Sequence, residues 1–155
     1  MNKKPGVAIL GCGLIGNKRA KALVGAKLTV CADIDESRAQ SLANNFLDCK
    51  ATKNWHATIN QKNVDIVVVA TTNDALVELS MEAVKAGKHV LVEKPAARNT
   101  AELQPLILAA RENRVLVRVG FNHRYHPALL KARELVHMGE LGKLMFVRGR
   151  YGHGG

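Results

Sequence analysis

Aromatic residues and long apolar runs are scarce in this chain of 155 residues. One Trp, two Tyr and three Phe are too few to build a stacking platform for single-stranded nucleic acid. No apolar run approaches the ~20 residues that a membrane-spanning helix requires. The 47% apolar content excludes a disordered chain, and a domain of this size folds without disulfide or metal staples.

Cysteine is also infrequent. Cys12, Cys31 and Cys49 are an odd number and lie far apart in sequence, whereas a secreted disulfide framework needs an even set. Lys3 and Lys4, followed by the apolar residues Val7–Leu10, resemble the start of a secretion signal. However, glycines interrupt the apolar stretch and no cleavage site follows. We therefore expect a cytoplasmic protein that does not associate with membranes.

Acidic residues are outnumbered, 13 against 23 basic ones, which gives a formal net charge of +10. The basic residues are spaced singly and form no block of the kind that binds nucleic acid. This distribution predicts a solvated surface with a few anion-binding groups and no nucleic-acid partner.

Short, continuous apolar runs alternate with segments of helical periodicity, which predicts an α/β fold with a parallel sheet covered on both faces. The predicted strands are 7–10, 28–32, 64–70, 89–92 and 115–119. The predicted helices are 14–25, 36–47, 74–86, 99–113 and 127–138. Asn73 or Asp74 is expected to begin the third of these helices, Asn99 and Glu102 to cap the fourth, and Pro105 to bend it.

The end of the chain has a different pattern. Residues Leu144 to Arg150 are predicted to form a strand, and the glycine-rich segment 152–155 follows it without a helix or a partner strand. We expect residues 1–122 to form one domain, and residues 123–155 to be the connecting helix and first strand of a second α+β domain that is cut short.

Gly11, Gly13 and Gly16 form a GxGxxG motif directly after the first predicted strand. In that context the three glycines permit a tight turn, close approach of a diphosphate, and close packing of helix on strand. Asp33 follows the second strand, 17 residues after Gly16, where a carboxylate can accept both hydroxyls of an adenosine ribose and repel a 2′-phosphate. This favours NAD. Two alternatives stay open: Asp33 or Asp35 caps the next helix, or Arg38 accepts a 2′-phosphate, which would permit NADP.

Polar residues also follow the later strands. Thr71, Thr72 and Asn73 come after the strand at 64–70, and Glu93, Lys94 and Pro95 after the strand at 89–92. The carboxyl edge of such a sheet is where ligands bind, although Lys94 could equally lie in an ordinary surface turn. His123 and His126 have metal-like spacing, but no Cys or clustered acid accompanies them, so no metal site is predicted.

The succession GxGxxG, strand-end Asp33, Ala-Thr-x-Asn at 70–73, Glu-Lys-Pro at 93–95 and Gly-x-Asn-x-Arg-Tyr-x-Pro at 120–127 resembles the Gfo/Idh/MocA family of oxidoreductases, over its amino-terminal half. The resemblance implies a Rossmann sheet of strand order 3-2-1-4-5-6. It also implies NAD(P)-dependent hydride transfer at a carbon of a small-molecule substrate: a sugar, cyclitol or nucleotide sugar. A homo-oligomer is expected for the full-length protein.

The resemblance also implies roles for individual residues. The implied cofactor-binding residues are Gly11, Gly13, Leu14, Ile15, Gly16, Asp33, Arg38, Thr71, Thr72, Asn73, Glu93, Lys94 and Asn122. Lys94 is the implied catalytic residue, with a cis bond to Pro95. Thr72 and Leu76 depart from the family's usual proline and histidine, and the aspartate and histidine that complete the family's active site are absent from this chain.

Two other functions remain compatible with the residues. A Rossmann module could bind a dinucleotide as a sensor without chemistry, or bind S-adenosylmethionine. The presence of Lys94 argues against the sensor, and this chain alone is expected to bind cofactor without turnover.

Overall fold

Six short strands run parallel in a single sheet with the order β3-β2-β1-β4-β5-β6. The structure is a computed structural model, and it describes residues 4–150 and 152. The strands are β1 (Gly6–Leu10), β2 (Lys27–Ala32), β3 (Lys50–Thr52), β4 (Ile66–Val69), β5 (His89–Val92) and β6 (Val117–Val119). The predicted α/β fold and strand order are confirmed.

Helices connect the strands and cover both faces of the sheet. They are α1 (Leu14–Lys21), α2 (Glu36–Ala43), α3 (Trp55–Ile59), α4 (Leu76–Lys85) and α5 (Thr100–Glu112). A sixth helix, α6 (Pro127–His137), comes after β6 in the sequence. In the described part of the chain, no helix is both long enough and apolar enough to cross a bilayer.

The apolar core forms two layers because successive strand side chains point to opposite faces of the sheet. Val7 and Ile9 of β1 face the layer that contains apolar residues of α1 and α2, whereas Ala8 and Leu10 face the layer that contains those of α4 and α5. All four side chains are at most 1% exposed. Burial on both faces explains why β1 has a continuous apolar sequence.

The first residues of α5 and α4 were both predicted from capping side chains. Asn99 caps α5 as predicted, since its side chain accepts a hydrogen bond from the Glu102 N–H at 3.1 Å, and the helix continues through Pro105. The expectation that Asn73 or Asp74 begins α4 is wrong. That helix begins at Leu76, with Ala75 as its N-cap and no capping side chain.

The chain divides into two compact units, and the first ends at Gly120. The second begins at Phe121 and contains a 3-10 turn, Asn122–Tyr125, followed by α6. The strand predicted at Leu144 to Arg150 is wrong, since these residues have no regular secondary structure and are exposed. A strand needs a neighbour for its hydrogen bonds, and the described residues of this unit contain no other strand. Most of the predicted tail at 152–155 lies outside the described residues.

Candidate functional site

The loop between β1 and α1 contains two glycines that the fold itself requires. Gly11 has φ of +92°, and a Cβ there would lie 2.5 Å from the Ala70 carbonyl oxygen and 2.8 Å from the Thr71 nitrogen. A Cβ on Gly16 would collide with the backbone carbonyl of Gly11. These glycines therefore let the loop pass close to the end of β4 and let α1 pack close to β1.

Gly13 is different, because no internal contact requires a glycine there. Its φ of −72° is open to any residue, and a Cβ would have no heavy atom within 4 Å. Gly13 is the N-cap of α1, which has no capping side chain, and the first helical side chain, Leu14, is 71% exposed. The space beside the backbone at the positive end of α1 fits a diphosphate group.

Asn17 holds this loop in place from one turn further along α1. Its Nδ2 donates to the carbonyl oxygens of Cys12 at 2.9 Å and Gly13 at 3.0 Å. These two bonds restrain the loop. Such preorganisation reduces the entropic cost of binding.

Asp33 is directly connected to the glycine loop. Its Oδ2 accepts a hydrogen bond from the Cys12 N–H at 2.6 Å, and its Oδ1 accepts one from the Asp35 N–H at 2.9 Å. Asp35, not Asp33, caps α2, through a 3.0 Å bond from the Ser37 N–H. The bond from the Ser37 hydroxyl is the main reason why the pKa of Asp35 lies below its usual range. The two acids thus have separate contacts, and Asp33 lies beside the glycine loop.

Arg38 lies on α2 and lines an open groove of about 590 Å³ together with Cys12, Gly13, Leu14, Asn17, Ser37 and Ser41. This volume is within the range of small-molecule sites. The Arg38 guanidinium pairs with Asp35 at 3.3 Å, and both side chains are exposed. Arg38 therefore lines the same groove as the glycine loop, which Asp33 contacts.

The segment after β4 places hydroxyl and amide groups at the same sheet edge. Thr71 is partly buried, while Thr72 and Asn73 are exposed. The hydrogen bond from the Thr72 side chain is the main cause that lowers the pKa of Asp74. Since the Thr71 nitrogen lies near Gly11, this segment borders the glycine loop.

The end of β5 contains a buried acid followed by an exposed lysine. Glu93 is 7% exposed, and its Oε1 accepts a 2.6 Å hydrogen bond from Nε of Arg19 and also pairs with Nη2. Arg19 Nη2 also donates to the Gly120 carbonyl oxygen at 3.3 Å. Lys94 is exposed, and the Lys94-Pro95 bond is cis, as the resemblance implied.

The remaining predicted residues lie in the second unit. Asn122 begins the 3-10 turn. His126 Nδ1 accepts a 3.2 Å hydrogen bond from the Ala128 N–H and so caps α6. Within the described residues, no cluster of three His, Cys, Asp or Glu side chains is suited to a metal ion.

Sequence reasoning missed two residues of this site, Arg19 and Asn17. Arg19 is 74 residues from Glu93 in sequence, so spacing alone could not pair them. The sequence offered only a general signal for this pair, which is that a buried carboxylate needs a cation or hydrogen-bond donors beside it. Asn17 follows Gly13 by one helical turn, a spacing that permits its bond to the loop.

Comparisons with known proteins agree with this geometry. Residues 6–121 match the Gfo/Idh/MocA family, described as an oxidoreductase family with an NAD-binding Rossmann fold. Inositol 2-dehydrogenase of Salmonella typhimurium is 30% identical over 149 residues, which cover 92% of this chain and 44% of that protein. The scyllo-inositol 2-dehydrogenase (NAD(+)) of Bacillus subtilis is 30% identical over 146 residues, 92% of this chain and 43% of that protein.

Among solved structures, GenD2 from gentamicin A biosynthesis, in complex with NAD, is similar with a TM-score of 0.84 and 31% identity, over 90% of this chain and 41% of that one. The chain thus spans less than half the length of the curated relatives it matches. The family match covers the glycine loop, Asp33 and the Glu93-Lys94-Pro95 segment. The chain belongs to the Gfo/Idh/MocA oxidoreductase family and contains its NAD-binding Rossmann domain.

Proposed function

We propose that this chain is the cofactor-binding part of a dehydrogenase that transfers a hydride between a nicotinamide cofactor and a carbon of a sugar, cyclitol or nucleotide sugar. The proposal rests on one observation at the glycine loop. Open space lies beside the Gly13 backbone, and the Asp33 carboxylate is held against the same loop by a 2.6 Å hydrogen bond from the Cys12 N–H. A diphosphate and a ribose diol are the groups that this pair would recognise.

The chain's own residues divide the binding task. The N–H groups at the start of α1 would hold the diphosphate, Asp33 would accept the adenosine ribose hydroxyls, and Arg38 would lie along the adenine side. Thr71, Thr72 and Asn73 would line the middle of the cofactor. Glu93 and Asn122 would approach the nicotinamide end.

Lys94 is the proposed catalytic residue. A bound nicotinamide supplies or accepts the hydride. Oxidation of a carbinol also requires a group that takes the hydroxyl proton, and the exposed Lys94 amine follows a strand at the ligand edge of the sheet. The Glu93 carboxylate is paired with Arg19, which directs its charge toward α1.

The proposal includes the wider organisation of the protein. Residues 1–122 are proposed as the dinucleotide domain, and residues 123–155 as the connecting helix and opening of a substrate domain. The dehydrogenases named above act on inositols, as their names state, which supports the substrate class. A cytoplasmic homo-oligomer is proposed, and the three free cysteines support the reducing location.

Calorimetric titration of the 155-residue chain with NADH, NADPH and S-adenosylmethionine tests the proposal. We expect NADH to bind at least tenfold more tightly than NADPH, about 1.4 kcal/mol, and S-adenosylmethionine not to compete. Preference for S-adenosylmethionine would reject the function. Equal or reversed affinities for the two dinucleotides would assign Arg38 as a phosphate ligand.

A further inference from the structure

The fold brings together three thiols that are far apart in sequence. Cys12 lies in the glycine loop, Cys31 near the end of β2, and Cys49 directly before β3. The Sγ atoms of Cys31 and Cys49 are 3.5 Å apart, and Cys12 Sγ donates to the Ala32 carbonyl oxygen at 3.5 Å. Cys31 and Cys49 do not line the groove of the proposed cofactor site, whereas Cys12 does.

The three thiols differ in their access to solvent. Cys31 is 0% exposed and Cys12 is 3% exposed, whereas Cys49 is only partly buried. A small oxidant in solution therefore reaches Cys49 first, and the Cys31 sulfur lies directly behind it. This is the arrangement of an attacking thiol backed by a resolving thiol.

Hydrogen bonding also separates the reactivity of the pair. The Cys31 and Cys49 sulfurs share a hydrogen bond in which either can be the donor, and this bond lowers the pKa of the Cys49 thiol. Hydrogen bonds with Cys12 and then Cys49, together with burial, raise the pKa of Cys31. Since the thiolate is the nucleophile, the same sulfur that solvent reaches is the one that reacts more readily.

We propose that Cys49 and Cys31 form a modification site that hydrogen peroxide converts reversibly to an intrachain disulfide in the folded protein. The Cys49 thiolate attacks peroxide, so that an S–O bond forms, the O–O bond breaks, and the hydroxide that leaves takes the proton that Cys49 released on ionising. The Cys31 sulfur then attacks the Cys49 sulfenic acid, the S–O bond breaks, and the departing hydroxide takes the Cys31 proton. Two thiols are oxidised, and one peroxide is reduced to two waters.

The two cysteines are 18 residues apart. The disulfide would enclose the segment between them, which contains Asp33 and α2. Closing it requires the two sulfurs to approach from 3.5 Å to the ~2.05 Å of a disulfide bond. β2 and β3 are paired from Lys50 onward, with Cys31 opposite Ala51, and Cys49 lies just outside this pairing.

The proposal is tested on chain that is fully reduced at the start. The chain is treated with hydrogen peroxide, its remaining thiols are blocked, and its peptides are mapped. We expect a linked Cys31–Cys49 peptide, a loss of two hydrogens, reversal by dithiothreitol, and Cys49 oxidation several-fold faster than in the urea-unfolded chain. A Cys12–Cys31 link, links between chains only, or oxidation no faster than in the unfolded chain would overturn it.

Three variants extend the experiment. The folding of each is checked by far-ultraviolet circular dichroism. Cys49→Ser must abolish the intrachain link, and Cys12→Ser, the matched control, must retain it. In Cys31→Ser, sulfenic acid at Cys49 should accumulate and be trapped by dimedone. If Cys31→Ser fails to fold, the first two variants still decide the matter: a link that persists in Cys49→Ser or disappears in folded Cys12→Ser contradicts the proposal.

Discussion

Arg19 of α1 and Glu93 at the end of β5 form an ion pair that is largely buried, with side-chain exposures of 26% and 10%. The same guanidinium donates to the Gly120 carbonyl after β6. One side chain thus links α1, the end of β5 and the end of β6. A Cβ at Gly120 would lie 2.7 Å from Arg19 Nη2 and 2.9 Å from Glu93 Oε1, so Gly120 leaves the space that the pair occupies.

Replacing Arg19 tests this linkage. Arg19→Met should lower the free energy of unfolding by about 3 kcal/mol, because it leaves the Glu93 carboxylate buried without a cation. The double variant Arg19→Met with Glu93→Gln should recover part of that loss, since the unpaired charge is then gone. Urea denaturation of the single and double variants measures both effects. A change below about 0.5 kcal/mol in Arg19→Met would show that the pair does not stabilise the fold.

Gly13 and Gly16 offer a matched pair of substitutions within one motif. Gly13→Ala should change stability by at most about 1 kcal/mol, the difference between these residues at an N-cap, yet weaken NADH binding at least tenfold, because the methyl group occupies the space proposed for the diphosphate. Gly16→Ala should cost about 3 kcal/mol of stability, since its Cβ meets the Gly11 backbone. Thermal unfolding and NADH titration separate the two. Normal NADH affinity in Gly13→Ala would contradict the proposed diphosphate position.

Asp33 should determine the choice of dinucleotide. Asp33→Asn should reduce the preference for NADH over NADPH by about tenfold, or about 1.4 kcal/mol, because the negative charge that repels a 2′-phosphate is lost. An amide also cannot accept from both Cys12 and Asp35 N–H groups through two oxygens. Asp48→Asn is the matched control: it removes an exposed carboxylate that pairs with Lys27 outside the groove and should keep the preference. Parallel titrations with both cofactors decide, and an unchanged ratio in Asp33→Asn would remove that residue from the ribose site.

The four central strands could be located from the sequence through their buried apolar residues. β1, β2, β4 and β5 are central strands whose buried apolar runs appear directly in the sequence. β3 was implied only by the strand order, because Lys50, Ala51 and Thr52 contain no apolar run. This edge strand is defined by its pairing with β2, which begins with Val30 opposite Lys50. Pairing with a strand that is distant in sequence leaves little signal in the local residues.

The strand predicted at Leu144 to Arg150 shows the converse. Leu144, Phe146 and Val147 are 53%, 81% and 79% exposed, so the apolar pattern is real but has no surface to pack against within its unit. In the candidate site, the glycine loop and Asp33 could be predicted because their chemistry is local. The Arg19–Glu93 pair and the cysteine cluster could not, since both depend on contacts between distant elements.

Acid should weaken the start of α5 through Glu102. Hydrogen bonds from the Arg98 backbone N–H and then its side chain lower the pKa of Glu102. The folded-state pKa is below the ordinary value of about 4.3, so the stabilisation is present above that value and is lost as pH falls through the folded pKa. Glu102→Gln should therefore be less stable than the parent chain at pH 7 and approach it below about pH 4. Urea denaturation across this range measures the difference, and a gap that persists at low pH would contradict the assignment.

Lys94 can be tested only in a chain extended to include the second half that its relatives possess. There, Lys94→Ala should lower the rate of substrate oxidation by about 10² to 10⁴ and leave NADH affinity nearly unchanged, because the residue is proposed to act mainly on the substrate hydroxyl. Lys85→Ala, which removes another exposed lysine paired with Glu82 on α4, is the matched control and should have normal activity. Steady-state kinetics with an inositol substrate, together with NADH titration, separate chemistry from binding. A near-normal rate in Lys94→Ala with intact NADH binding would exclude Lys94 from the reaction and favour a dinucleotide-binding module without chemistry at this position.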